Sequence, residues 1–239
     1  MIFTATYLAL KRLFTPQYCI MMLKILGLTC VVFIIIWLLI NKLFMPYLWL
    51  WVTHFFPILT DWTGLLKLST LIILNFGLAF LAPFLIAPTT AIIGSFFVDA
   101  AAEIIEKEDY PNEPVGQTMS FTSSLILSLK FAVISLLGNA IAFILFFIPG
   151  VNLIAFYVIN GYMLGREYFL LSAYRFQSQK EAHSFLRIHH MTVFWAGLVI
   201  AFFVSIPIVN LVTPLFAAAF MTYLYKMLPH NHSTLITLK

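Results

Sequence analysis

The sequence predicts an all-α integral membrane protein with two long transmembrane helices and two helical hairpins that enter the bilayer only partly. Three observations carry that prediction. The first is composition: of 239 residues, 62% are hydrophobic and 9% charged, with a mean hydropathy of +1.01, whereas a soluble domain needs about a quarter of its residues charged to cover its surface. The second is a pair of long apolar runs, 25–42 and 68–98, each long enough as a helix to cross most or all of a ~30 Å hydrocarbon core. The third is a repeated hexapeptide, Ile148-Pro149-Gly150-Val151-Asn152-Leu153 and Ile206-Pro207-Ile208-Val209-Asn210-Leu211, which differs only at its third position. Repeats of broken apolar segments are a sequence pointer to transporter architecture.

The whole chain, 1–239, reads as one membrane domain. Residues 1–24 form an amphipathic N-terminal segment carrying Lys11, Arg12 and Lys24. No small-x-small site follows the apolar run, so 25–42 is expected to be a retained span rather than a cleaved leader, with Lys24 and Lys42 snorkelling at its ends. Between 43 and 66, Tyr47, Trp49, Trp51 and Trp62 mix with Pro46, Pro57 and Gly64, as in a segment lying among lipid headgroups. The second span, 68–98, would be about 46 Å long if wholly helical. Pro83 and Pro88 give it a named cause for kinking. Its end carries Asp99, Glu103 and Glu106 on one helical face, opening an acidic cytoplasmic loop over 99–120.

The repeated hairpins occupy 131–171 and 191–227. In each, Pro149 or Pro207 is expected to stop the first arm and Asn152 or Asn210 to cap the second. Neither tip carries a charge, and the arms 131–148, 153–165, 191–206 and 211–225 are only about 20–27 Å long. Hairpins that turn back inside the bilayer are favoured over complete ones with a turn at the far interface. Backbone that turns at that depth must be satisfied by other protein or by a watery cavity, which implies homo-oligomerisation or mutual packing. With two spans and two returning hairpins, both termini share a side. That side holds every Lys and Arg except Lys42 and Lys67, so it is expected to be cytoplasmic.

No catalytic constellation is visible: there is no HExxH, CxxC or GxSxG motif and no glycine-rich phosphate loop, hence no expected catalytic residue or cofactor. The excess of basic residues, 13 against 9 acidic, is scattered between apolar runs, which suits lipid headgroups and not nucleic acid. Adjacent histidines such as His189-His190 face apart on a helix, and His230 and His232 lie in a polar tail, so no metal site is expected. Cys19 and Cys30 are about 16 Å apart along one helix, beyond disulfide reach.

The candidates for function are few. Arg166 and Glu167 interrupt the arm that begins at Leu153, about 20 Å from its tip. Ionisable residues at membrane depth mark ion pathways; the other reading is an arginine at the interface, snorkelling or paired with Glu167 or Glu103. If the tips lie at mid-bilayer, helices starting near Asn152 and Asn210 point their N-termini at that depth, where they favour anions. Simple capping is the alternative.

The hairpins, read as FIPGVNLIAFYVINGYMLGREYFLLSAYRF from Phe147 and VFWAGLVIAFFVSIPIVNLVTPLFAAAFMTYLYKML from Val193, resemble the CysZ sulfate permease family, which is related to the etoposide-induced membrane proteins. LFTPQY near Pro16 and FFVDAAAEII near Asp99 match more loosely. The resemblance implies an oligomer of the bacterial inner membrane that admits sulfate for cysteine synthesis. It also implies a Gly-Leu/Ile-Arg-Arg motif after the N-terminal proline, associated with sulfate binding. Here Pro16 is followed by Gln17-Tyr18-Cys19-Ile20. Both arginines are absent, and Lys11 and Arg12, about a turn earlier, are the nearest cations. Two functions follow: a sulfate or related oxyanion permease, or a scaffold or lipid-handling protein whose hairpins wedge into one leaflet.

Overall fold

A computed structural model describes residues 1–44, 46–47, 50–51, 54, 64, 68–69, 72, 76, 93–94, 96–118 and 151–229. The elements are α1 (Ile2–Leu13), α2 (Pro16–Leu39) with a π-helical turn at Ile40–Phe44, α3 (Val98–Asp109), α4 (Val151–Ala173), α5 (Gln179–Ile188), α6 (His190–Ser205), the single turn α7 (Pro207–Asn210) and α8 (Thr213–Met227). Among the described residues every regular element is helical. Contacts divide the chain into two compact units, Met1–Met22 with Gly94–Lys239, and Leu23–Ile93.

The second unit contains most of α2. Pro16 opens that helix, where its fixed φ suits the first turn and its missing N–H is no loss. From there the apolar helix extends without a break to Leu43, through the position where an amphipathic segment was expected to end at residue 24. The N-terminal segment therefore ends at Leu13, and among the described residues the single unbent helix long and apolar enough to cross a membrane is Pro16–Leu43, about 42 Å long. Val31, Ile34, Ile35, Trp37, Leu38 and Leu39 are all exposed on it. Tyr18, Ile25 and Thr29 are buried nearer its start, but over this stretch the helix exposes a broad apolar surface, which suits it to lipid. The expected second span, 68–98, and the first hairpin tip with Pro149 fall almost wholly outside the described residues.

The first unit is organised around α8, which is buried at every position from Thr213 to Tyr225. It packs against α1, α3, α4 and α6. Ala5, Ala9 and Leu13 recur at helical spacing on the buried face of α1, and two of the three are small enough for close approach to α8. Aromatic rings tie the rest together. Phe203 of α6 stacks on Phe216 at 3.9 Å between centroids, Phe216 on Phe220 at 5.6 Å, and Tyr225 meets Phe169, Phe176 and Phe185. Each such pair adds about 0.5–1.5 kcal/mol beyond burial.

The hairpin arms differ from the sequence expectation in four ways. Asn152 lies inside the first turn of α4, not ahead of it. Asn210 ends the short turn α7, and the residue that precedes α8 is Val212. Asn210 is thus not the cap of the second arm, because Pro214 in the first turn of α8 sets that start instead. Likewise Pro207 does not simply stop an arm; α6 ends at Ser205 and Pro207 opens α7. Finally, α4 does not end near Gly165. It continues through Arg166 and Glu167 to Ala173, about 34 Å in all, so these ionisable residues interrupt the apolar pattern without interrupting the helix.

α4 and α6 run antiparallel and almost touch. A Cβ on Gly197 would overlap the carbonyl oxygen of Gly161, and one on Gly165 would come within 2.6 Å of the carbonyl oxygen of Val193. Gly161-x-x-x-Gly165 is the small-residue spacing that lets two helix backbones approach. This contact fixes where α4 places Arg166 relative to α6.

Candidate anion site

Arg166 lies one turn beyond Tyr162 on α4. Opposite it stands α5, whose N-terminus is secured by a capping box: the Ser178 backbone N–H donates to Glu181 Oε2 at 3.0 Å, and the Glu181 N–H donates to Ser178 Oγ at 3.4 Å. Ala182 and Phe185 bury one face of this amphipathic helix. His183, Leu186 and Arg187, at helical spacing, line another. The chain then bends by 89° at His189 into the predominantly apolar α6, whose first turns contribute His190, Val193 and Phe194. Together these side chains enclose a cleft of about 230 Å³.

The lining of that cleft is one-signed. Among the described residues it holds two arginines and two histidines and no carboxylate. Among the described residues, neither Arg166 nor Arg187 has a carboxylate within ion-pairing distance. His190 Nδ1 lies 2.9 Å from the carbonyl oxygen of Arg187, and His183 Nδ1 lies 2.7 Å from that of Gln179. A carbonyl only accepts, so each Nδ1 carries the proton. Each Nε2 is then left without a partner among the described residues and donates as well whenever the ring is protonated. Arg166 also acts on the linker: burial pushes the Tyr174 phenol above its ordinary value, and the positive charge of Arg166 opposes that rise. The positive end of the α6 dipole begins at the same place, and Arg187 compensates the negative end of α5 from within its last turn.

The other sequence candidates are placed elsewhere. Arg12 is an anchor: its Nη2 lies 2.8 Å from Glu108 and 3.5 Å from Asp109 and donates to the Ile104 carbonyl. Lys11, beside it, is exposed. Glu167 is half-buried, does not line the cleft and has no ion pair among the described residues. Asn152 sits about 21 Å from Arg166 along the continuous α4, and Asn210 lies at the same tip end of the arms. The structure therefore brings Arg166 together with Arg187, His183 and His190, not with the tips or the N-terminal cations.

The acidic helix α3 has its own arginine, which sequence reasoning passed over. Arg175, in the linker after α4, is almost fully buried and clamps Glu106 in a fork: Nε donates to Oε1 at 2.7 Å and Nη2 to Oε2 at 3.0 Å, while Nη1 donates to Asp99 at 3.0 Å. The Gly116 N–H completes the Glu106 carboxylate at 2.8 Å. Burial works against the charged guanidinium, but the hydrogen bonds and charges of Glu106 and Asp99 outweigh it and raise the Arg175 pKa. Glu103, on the same helix face, pairs instead with Lys107 at 2.6 Å, whose hydrogen bond holds that carboxyl below its usual value. Further polar ties meet α3 from Tyr18, which donates to the Ala101 carbonyl at 2.7 Å, from Gln17 to Glu108 and from Tyr223 to Asp109. Every charge in this belt is spent on structure. Of the four arginines, Arg12 and Arg175 are committed to these carboxylates, while Arg166 and Arg187, with no ion pair among the described residues, line the cleft.

The model of the family described as "Sulfate transporter CysZ/Etoposide-induced protein 2.4" matches residues 6–214. No curated protein matches the chain.

Proposed function

The chain belongs to the sulfate transporter CysZ/etoposide-induced protein family, and from that premise we propose that it is a permease for sulfate or a related small oxyanion. The observation that carries the proposal from family to molecule is the cleft in which, among the described residues, no carboxylate faces Arg166 and Arg187 and neither has an ion pair. A guanidinium presents planar forks of N–H donors to an oxyanion, and two of them with two imidazoles suit a doubly charged tetrahedral ion. Arg166 and Arg187, from α4 and α5, take the part of the arginine pair absent after Pro16. Arg12 is committed to Glu108 and leaves that task to them.

In this reading the protein is a multi-pass, homo-oligomeric protein of the bacterial inner membrane with both termini in the cytoplasm. α2 is one span, and the α5–α6 elbow marks where polar surface gives way to lipid. The cleft then lies at the mouth on the cytoplasmic side, where sulfate destined for cysteine synthesis would be released. The test is uptake of radiolabelled sulfate into liposomes containing the purified protein. Saturable uptake that thiosulfate and selenate compete for, and chloride does not, is expected. Uptake no greater than in empty liposomes, from protein shown to be inserted, would leave a scaffold or lipid-handling role in its place.

A further inference from the structure

From the cleft, two apolar stripes run toward the far end of the arms. On α4, Arg166, Tyr162, Val158 and Ile154 follow one another at four-residue intervals along one face, and the last three are 57%, 45% and 67% exposed. On α6 the matching series is Phe194, Leu198 and Phe202, beginning in the cleft and ending at a 56% exposed Phe202. The two stripes meet at Gly161, where a Cβ would come within 2.6 Å of Leu198 Cδ2. Leu198 fills the place of the missing side chain, so the two stripes close up into one continuous apolar surface with a cationic head. At that head the polar, amphipathic α5 turns through 89° into the apolar α6, the change of solvent expected at the headgroup level of a bilayer.

We propose that the cleft and this exposed apolar surface together bind an anionic phospholipid, its phosphate held by Arg166 and Arg187 and one acyl chain lying along Tyr162, Val158 and Ile154. The inference rests on the same cleft as the permease reading but on a separate observation, the exposed stripes. A sulfate ion makes no use of three uncovered apolar side chains, whereas a lipid uses them and the charges at once. The phosphate and a free oxyanion share their chemistry, so the lipid competes with the transported ion and sets how open the cleft is.

The experiment is native mass spectrometry of the full chain in detergent with phosphatidylglycerol or phosphatidylcholine of equal chain length, beside equilibrium binding of labelled sulfate. Phosphatidylglycerol is expected to be retained about tenfold more strongly than phosphatidylcholine, and Arg166→Gln with Arg187→Gln to remove the difference. Val158→Asn with Phe202→Asn is expected to weaken phosphatidylglycerol about fivefold or more while leaving sulfate binding unchanged. Arg187→Gln alone, on the exposed face of α5, serves if the double variant does not fold. Equal retention of the two lipids, or indifference to the arginines, overturns the inference. Stripe variants without effect, in protein that binds sulfate, also overturn it and leave the permease reading standing. Lipid retained as expected by protein that takes up no sulfate would uphold the lipid site and reject the permease.

Discussion

Replacing Arg175 by Met is expected to cost about 3–5 kcal/mol of stability, the usual penalty for removing one partner of a buried ion pair. Most of that loss comes from Glu106, whose side chain is 1% exposed and would be left with only the Gly116 N–H to hold its charge. Asp99 contributes less, because it is 37% exposed and water can take over its partner's role. The check is thermal unfolding in detergent, followed by helical circular dichroism, for the single variant and for Arg175→Met combined with Glu106→Gln. Recovery of much of the loss in the double variant is expected, since a neutral amide needs no counter-charge. An unchanged midpoint in Arg175→Met would mean that the acidic helix is held by its other ties alone.

Gly197→Val is expected to be nearly as damaging, for a steric reason. Its new Cβ would overlap the backbone carbonyl of Gly161, which cannot swing aside as a side chain can, so α4 and α6 must separate. Overpacking of this kind costs about 1–3 kcal/mol, and more where backbone has to move. The separation also carries Arg166 away from His190 and Arg187, so sulfate binding should fall further than stability does. Leu198→Ala, one residue away, opens space in place of closing it. It is expected to leave the cleft geometry intact. Normal sulfate binding by a folded Gly197→Val protein would show that the close contact does not position the site.

Much of this was legible in the sequence because membrane helices announce themselves by composition. The apolar run through Ile34 to Leu39 reads as a span without any packing information. Arm α6 was bounded to within a residue by its apolar pattern, 191–206 against His190–Ser205. What failed were judgements about termini. Pro16 was a stronger start signal than Lys24 was a boundary, and Pro214 a stronger start signal than Asn210. The charge of Arg166 and Glu167 was read as the end of an arm, although long polar side chains are compatible with helix and only change what surrounds it.

For the site, Arg166 could be picked out because it breaks an apolar stretch, but its companions could not. Arg187 and His183 lie on a short polar helix where charged residues are ordinary, and only the bend at His189 and the α4–α6 contact bring them opposite Arg166. Arg175 left a fainter trace: Asp99 and Glu106 stand two turns apart on one helix face, and the fully buried Glu106 requires a cation from elsewhere in the chain.

The most direct test of the cleft as the oxyanion site is sulfate uptake by liposomes containing wild type, Arg166→Gln or Arg187→Gln, each at equal inserted amount, with Lys11→Gln as the cationic control. Each cleft variant is expected to lose about tenfold or more in uptake, the scale of one charge-assisted contact, while Lys11→Gln keeps the wild-type rate. Undiminished uptake in both arginine variants, or a loss confined to Lys11→Gln, would contradict the account and return the anion path to the N-terminal cations.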